Sequence, residues 1–133
     1  MPNSVLSIGN MAFQYCKNLK TIKLSNALIS IGKNAFRYSG ITNLEIPNSV
    51  NRIGSWAFSD CRELLNITLP TKLAIIDEYT FDMCINLKNI NIPESVTDIR
   101  DFAFYNCNSL TELEIPNSVI SIGEKAFWRC KKY

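Results

Sequence analysis

The chain has 133 residues, 47% of them hydrophobic and 20% charged, a length and composition suited to one folded domain. A formal net charge of +2 is too small to point to nucleic acid or an anionic membrane surface as partner. With no histidine at all, Ser-His and Cys-His nucleophile pairs are excluded and the commonest metal ligand is missing. No membrane insertion is expected, because no apolar run approaches the ~18 residues a spanning helix needs. Met1-Pro2-Asn3-Ser4 has neither the basic nor the apolar region of a secretory signal.

The first recognisable unit places Ile8, Ala12, Phe13 and Cys16 at helical spacing, which predicts one or two short helical turns with Gly9 at their start. Residues 19–24 then alternate apolar and polar side chains, the period of a half-buried strand. The same pattern returns five times. Phe13, Phe36, Phe58, Phe81, Phe104 and Phe127 are spaced by 23, 22, 23, 23 and 23 residues. Ala12, Ala35, Ala57, Thr80, Ala103 and Ala126 precede them, and Cys16, Ser39, Cys61, Cys84, Cys107 and Cys130 follow three residues later. Pro2, Pro47, Pro70, Pro93 and Pro116 keep the same beat, with Ser25 where one is missing, and a proline that follows a strand stops it there. The one short spacing falls in the second copy, where Gly40 alone separates Ser39 from Ile41.

The repeats divide the single domain into residues 2–24, 25–46, 47–69, 70–92, 93–115 and a partial copy at 116–133. No one unit can bury its own apolar face, so the units must stack as a solenoid. Strands are expected at 19–24, 41–46, 64–69, 87–92 and 110–115, side by side in one parallel sheet about 20 Å across. The phenylalanines then form an internal ladder. The five cysteines share one inward column with no C-x-x-C pair, so they read as free core thiols, not as a metal site or disulfides. A second column, Met11, Trp56, Tyr79 and Phe102 with Asn34 and Lys125, reads as packing between units, with Tyr15, Tyr38, Tyr105 and Trp128 nearby.

The string Pro-x-Ser-Val-x-x-Ile-Gly-x-x-Ala-Phe-x-x-Cys is intact from Pro116 to Cys130. With the Leu-x-x-Ile-x-Ile that follows in the earlier copies, it resembles the BspA-like leucine-rich repeats over essentially the whole chain. The resemblance implies an α/β, right-handed horseshoe solenoid, with a parallel sheet on one face and short helical or 3-10 turns on the other. It also implies a cell-surface or secreted protein of the adhesion type. A serine column (Ser4, Ser49, Ser95, Ser118) stands where the general leucine-rich template has asparagine or cysteine, so hydroxyls are expected to satisfy backbone groups there. Ala27 and Lys72 cannot do so.

The outward strand positions vary while the framework does not, and they run from basic to acidic along the array. Lys20, Lys23, Glu45, Thr68, Asn91, Glu112 and Glu114 are therefore the expected ligand-binding residues, on a platform open to a protein or glycan partner. No catalytic residue, metal or cofactor is assigned, and an enzyme is not expected of an open platform. Asn66-Ile67-Thr68 matches a glycosylation sequon, which a single triplet meets easily by chance. The alternative function is end-to-end self-association through solenoid ends that show no polar cap.

Overall fold

The computed structural model describes residues 1–131. Its strands are short: β1 (Ser7–Ile8), β2 (Ser30–Ile31), β3 (Asn43–Glu45), β4 (Arg52–Ile53), β5 (Asn66–Thr68), β6 (Ile75–Ile76), β7 (Asn89–Asn91), β8 (Asp98–Ile99) and β9 (Ser121–Ile122). All pairings are parallel and join a residue to its counterpart one repeat away, as in Leu44↔Ile67↔Ile90. The result is a β-solenoid with three three-stranded sheets, ordered β1-β2-β4, β3-β5-β7 and β6-β8-β9.

The sheet expected from alternation is β3-β5-β7, with Leu44, Ile67 and Ile90 buried beneath exposed neighbours. It holds three strands, not five. Residues 19–24 and 110–115 follow the same course without qualifying as strands. The first is tied to its neighbour by the bond from Thr42 N to Lys20 O at 3.0 Å. A segment flanked by a coil on one side only has half the ladder partners of an interior one. The two-residue strands at the Ile8, Ile31, Ile53, Ile76, Ile99 and Ile122 column form a second ribbon that the helical reading of that half did not anticipate.

The expected helical turns do not form among the described residues. Two columns per coil take left-handed backbone, at Met11 (φ 60), Trp56 (φ 62) and Tyr79 (φ 56) before the Phe, and at Tyr15 (φ 62), Asp60 (φ 56) and Met83 (φ 59) after it. Alternate amides then serve different partners. Ala12, Gln14 and Cys16 close turns on the third residue back, whereas Met11, Phe13 and Tyr15 donate to Lys33, Ala35 and Arg37 of the next coil at 2.9, 2.7 and 2.8 Å. An α-helix keeps every amide for its own chain. In isolation a left-handed non-glycine residue costs about 1–2 kcal/mol, and here its amide is the one that ties the coils together.

Gly9 and its counterparts Gly32, Gly54 and Gly123 are not helix caps either. A Cβ on Gly54 would lie 2.6 Å from Lys33 N and 2.8 Å from Gly32 C, so glycine lets successive backbones touch. At each other step of this ribbon the fourth residue before the Phe donates to the previous coil, as Gly32 to Ile8, Gly54 to Ile31, Arg100 to Ile76 and Gly123 to Ile99. Between β4 and β6 the ladder is interrupted, and Asp77 fills the glycine position on the far side of that break. A side chain there needs the space that the glycine leaves. Arg100, one coil on, keeps its bond, so the column influences the ladder without dictating it.

Phe36, Phe58, Phe81 and Phe104 are fully buried. They stack with Phe13 and Phe127 at centroid separations of 5.1, 5.4, 5.7, 5.2 and 5.3 Å. The cysteine column runs beside this spine and does more than fill space. The thiols of Cys61, Cys84, Cys107 and Cys130 donate to the carbonyls of Phe36, Phe58, Phe81 and Phe104 at 3.1–3.2 Å. Burial pushes the Cys61 thiol up to about 11, and the Cys84 and Cys107 thiols well above the ordinary range. Cys130 goes the other way, its thiolate stabilised by a hydrogen bond from Cys107 that outweighs partial burial. The serine column behaves as expected where a hydroxyl can reach: Ser95 and Ser118 donate to Leu73 O and Val96 O at 2.6 and 2.7 Å. Ser49 Oγ is buried without a partner among the described residues.

Candidate functional site

Strand pairing sets the row Glu45↔Thr68↔Asn91 in register, and all three side chains are exposed. A parallel row, Asn43↔Asn66↔Asn89, lies two residues earlier on the same face, with Asn66 Nδ2 donating to Asn43 Oδ1 at 2.9 Å. Neighbouring strands lie about 4.8 Å apart, so the three central residues span roughly 10 Å on a backbone fixed by two ladders. Lys23 extends the Glu45 row on one side and Glu114 on the other, both exposed. Lys23 and Glu45 share a shallow groove with Ile22 and Pro47. Glu112 and Glu114 face Asn89 and Asn91 across an open groove of about 430 Å³ over Ile90.

Lys20 stands apart from this group. Its ammonium pairs with Glu63 of the third coil at 2.5 Å, reaching across the short second coil, with both side chains about half exposed. Such a pair contributes at most about 1 kcal/mol, but it turns Lys20 toward the margin of the sheet face. The structure thus brings Lys23, Glu45, Thr68, Asn91, Glu112 and Glu114 onto one surface and directs Lys20 to another contact.

The aromatic column forms a brace on the turn side. Trp56, Tyr79 and Phe102 stack at 3.9 and 4.7 Å, and Tyr105 stacks on Trp128 at 4.9 Å. Tyr15 stacks on Tyr38 at 4.9 Å, and the Arg37 guanidinium lies 5.0 Å from the Tyr38 ring and 4.5 Å from the Trp56 ring. Because the rings cover one another's faces, the interior of the stack offers edges to solvent and no platform for a flat ligand.

Beneath the brace lies a buried polar pair that the sequence reading did not single out. Asp60 and Asp82 are 8% and 7% exposed. Arg62 holds Asp60 Oδ1 through Nε and Nη2 at 3.1 and 2.9 Å, and Ser59 Oγ donates to Asp82 Oδ2 at 3.3 Å. Burial pushes the Asp82 carboxyl up to about 6, with the Asp60 charge adding to it and Ser59, Arg37 and Arg62 opposing it. The only signal in the sequence was an acid in each of two adjacent columns that carry other residue types in the remaining copies. Among the described residues no group of three or more acidic, cysteine or histidine side chains is placed to hold a metal ion.

A stack of parallel coils around an apolar spine, with one exposed variable face, defines a leucine-rich-type solenoid repeat protein. The chain belongs to the BspA-type leucine-rich repeat family, whose model matches in six copies over residues 1–101 and 57–133. It is similar to a leucine-rich repeat protein from Bacteroides ovatus at 35% identity and a TM-score of 0.95, covering 98% of this chain and 34% of that one. A leucine-rich repeat protein of T. pallidum is 26% identical with a TM-score of 0.72, covering 99% of this chain and 51% of that one. A leucine-rich cell surface protein from Faecalibacterium prausnitzii is 28% identical with a TM-score of 0.62, covering 95% and 41%. The chain therefore spans between a third and a half of the length of these relatives. No match to it was found among curated proteins.

Proposed function

We propose that the chain is a non-catalytic binding module of a surface or secreted protein, and that its β3-β5-β7 face takes a protein or glycan ligand. The observation that carries this reading is the exposed, in-register row Glu45–Thr68–Asn91, held rigid over the constant Leu44, Ile67 and Ile90. Rigid framework beneath and variable chemistry above is how repeat proteins build a recognition surface. The similarity to a protein described as a leucine-rich cell surface protein supports the same setting. The absence of histidine and the open form of the face favour recognition over chemistry, which needs enclosed and dehydrated groups.

The test is to apply the chain to arrays of extracellular-matrix proteins and of glycans, and to repeat any positive interaction with Thr68→Arg and with Lys23→Glu. A bulky charge at the centre of the row should weaken binding about tenfold or more, since it lands in the middle of the contact. Reversing Lys23 at the edge should mainly change the dependence on ionic strength. Undiminished binding by the Thr68 variant rules this face out.

A further inference from the structure

The missing residue of the second coil leaves a notch between the turn side and the strand side. Gly40 lies hard against the first coil there. Its amide donates to Cys16 O at 3.1 Å, and a Cβ on it would come within 2.0 Å of Lys17 O. The second coil has Gly40 alone where the first has Lys17-Asn18 and the third has Arg62-Glu63. Lys17 and Arg62, in the coils on either side, lie about two coil steps, or roughly 10 Å, apart. The space is about 360 Å³, lined by Lys17, Tyr38, Gly40, Asp60, Arg62 and Glu63. That is enough for one acidic side chain or one sugar ring.

Its electrostatics favour an anion. Both carboxylates are already engaged, Glu63 by Lys20 at 2.5 Å and Asp60 by Arg62 at 2.9 Å. Among the described residues, Lys17 has no ion-pair partner and neither the Tyr38 hydroxyl nor Arg62 Nη1 makes a hydrogen bond. Of the charged residues that line the space, Arg62 is paired with Asp60, and Glu63 is paired with Lys20 from outside the lining, which leaves Lys17 without a balancing carboxylate among them. The ring of Tyr38 is covered on its faces by Tyr15 and Arg37, so it contributes its hydroxyl and not a stacking surface. With Nε and Nη2 on Asp60, Arg62 has Nη1 left to offer a carboxylate, a charge-assisted bond stronger than a neutral one.

We propose that this notch is a binding site for a carboxylate carried by a partner molecule, separate from the sheet face and independent of its role. The experiment is an NMR titration of the whole chain with N-acetyl-aspartate amide and with glucuronate, each beside its neutral counterpart, N-acetyl-asparagine amide and glucose. The acids should shift the amide signals of Tyr38, Gly40 and Arg62, and the neutral compounds should leave them in place. A response to aspartate alone identifies a peptide source, and one to glucuronate alone an acidic glycan. Inserting an alanine between Ser39 and Gly40 restores the common repeat length, fills the notch and should weaken binding about tenfold or more. Lys17→Gln, an exposed change that leaves the fold intact, should weaken it about fivefold. Neutral compounds binding as well as acids, no shift up to about 50 mM, or full binding by Lys17→Gln each overturn the proposal.

Discussion

Replacing Asp82 with asparagine isolates the cost of a buried charge in this solenoid. Asp82 is 7% exposed, receives one hydrogen bond from Ser59 and has the Asp60 carboxylate nearby. Its carboxyl moves from 3.8 to about 6 on folding. The native state thus binds the proton more tightly than the unfolded chain. Above pH ~6 the charged form penalises folding in full, and the penalty fades as pH falls from about 6 toward 3.8. At about 1.4 kcal/mol per pH unit, the shift corresponds to roughly 2–3 kcal/mol. Asparagine stays neutral, keeps an acceptor for Ser59 and removes the repulsion on Asp60. Asp82→Asn should therefore be more stable than the parent by about 2 kcal/mol at pH 8, with the difference shrinking below pH 6 and nearly gone at pH 4. Urea unfolding of both proteins at pH 8, 6 and 4, followed by circular dichroism, measures this directly. A variant less stable at pH 8, or a difference that does not change with pH, refutes the reasoning.

Other consequences can be checked with the same material. Phe58→Ala removes a fully buried ring between two stacked neighbours and should cost about 3–5 kcal/mol in chemical denaturation; a loss below about 1 kcal/mol would mean the spine is not what holds the coils together. Alkylation of the native protein should label the partly exposed Cys16 well before Cys61, Cys84 and Cys107, whose burial both shields the thiols and suppresses their ionisation, as mass spectrometry of the peptides would report. Hydrogen exchange should be faster at the amides of Ala74 and Asp77, beside the break between β4 and β6, than at Asn51, Gly54, Thr97 and Arg100, which donate to the preceding coil.

The repeat was legible because stacking imposes the same requirement on every coil. Phe at a fixed beat, a small residue before it and a thiol or hydroxyl after it are what one coil needs to fit on the next, so the columns Phe13–Phe127 and Cys16–Cys130 reported the solenoid directly. The alternation at 41–46, 64–69 and 87–92 likewise located β3, β5 and β7 and placed Glu45, Thr68 and Asn91 outward. The turn side was misread for a physical reason. Spacing of three and four residues records which side chains point inward, and a run of tight turns with left-handed residues satisfies it as well as a helix does. The distinction lies in where the amides of Met11, Phe13 and Tyr15 are bonded, which is to another coil.

Side-chain pairing was equally hidden. Lys20 and Glu63 are 43 residues apart, and nothing in either repeat says that the short second coil lets them meet. The carboxylates of Asp60 and Asp82 look like surface residues in two columns of mixed types until the stacked coils bury them. Sequence by itself determined the period, the spine and the outward row, because those follow from constraints repeated in every coil. Only the tertiary structure decided the left-handed turns, the interrupted ladder and the notch over Gly40, because each depends on what one coil does to the coil beside it.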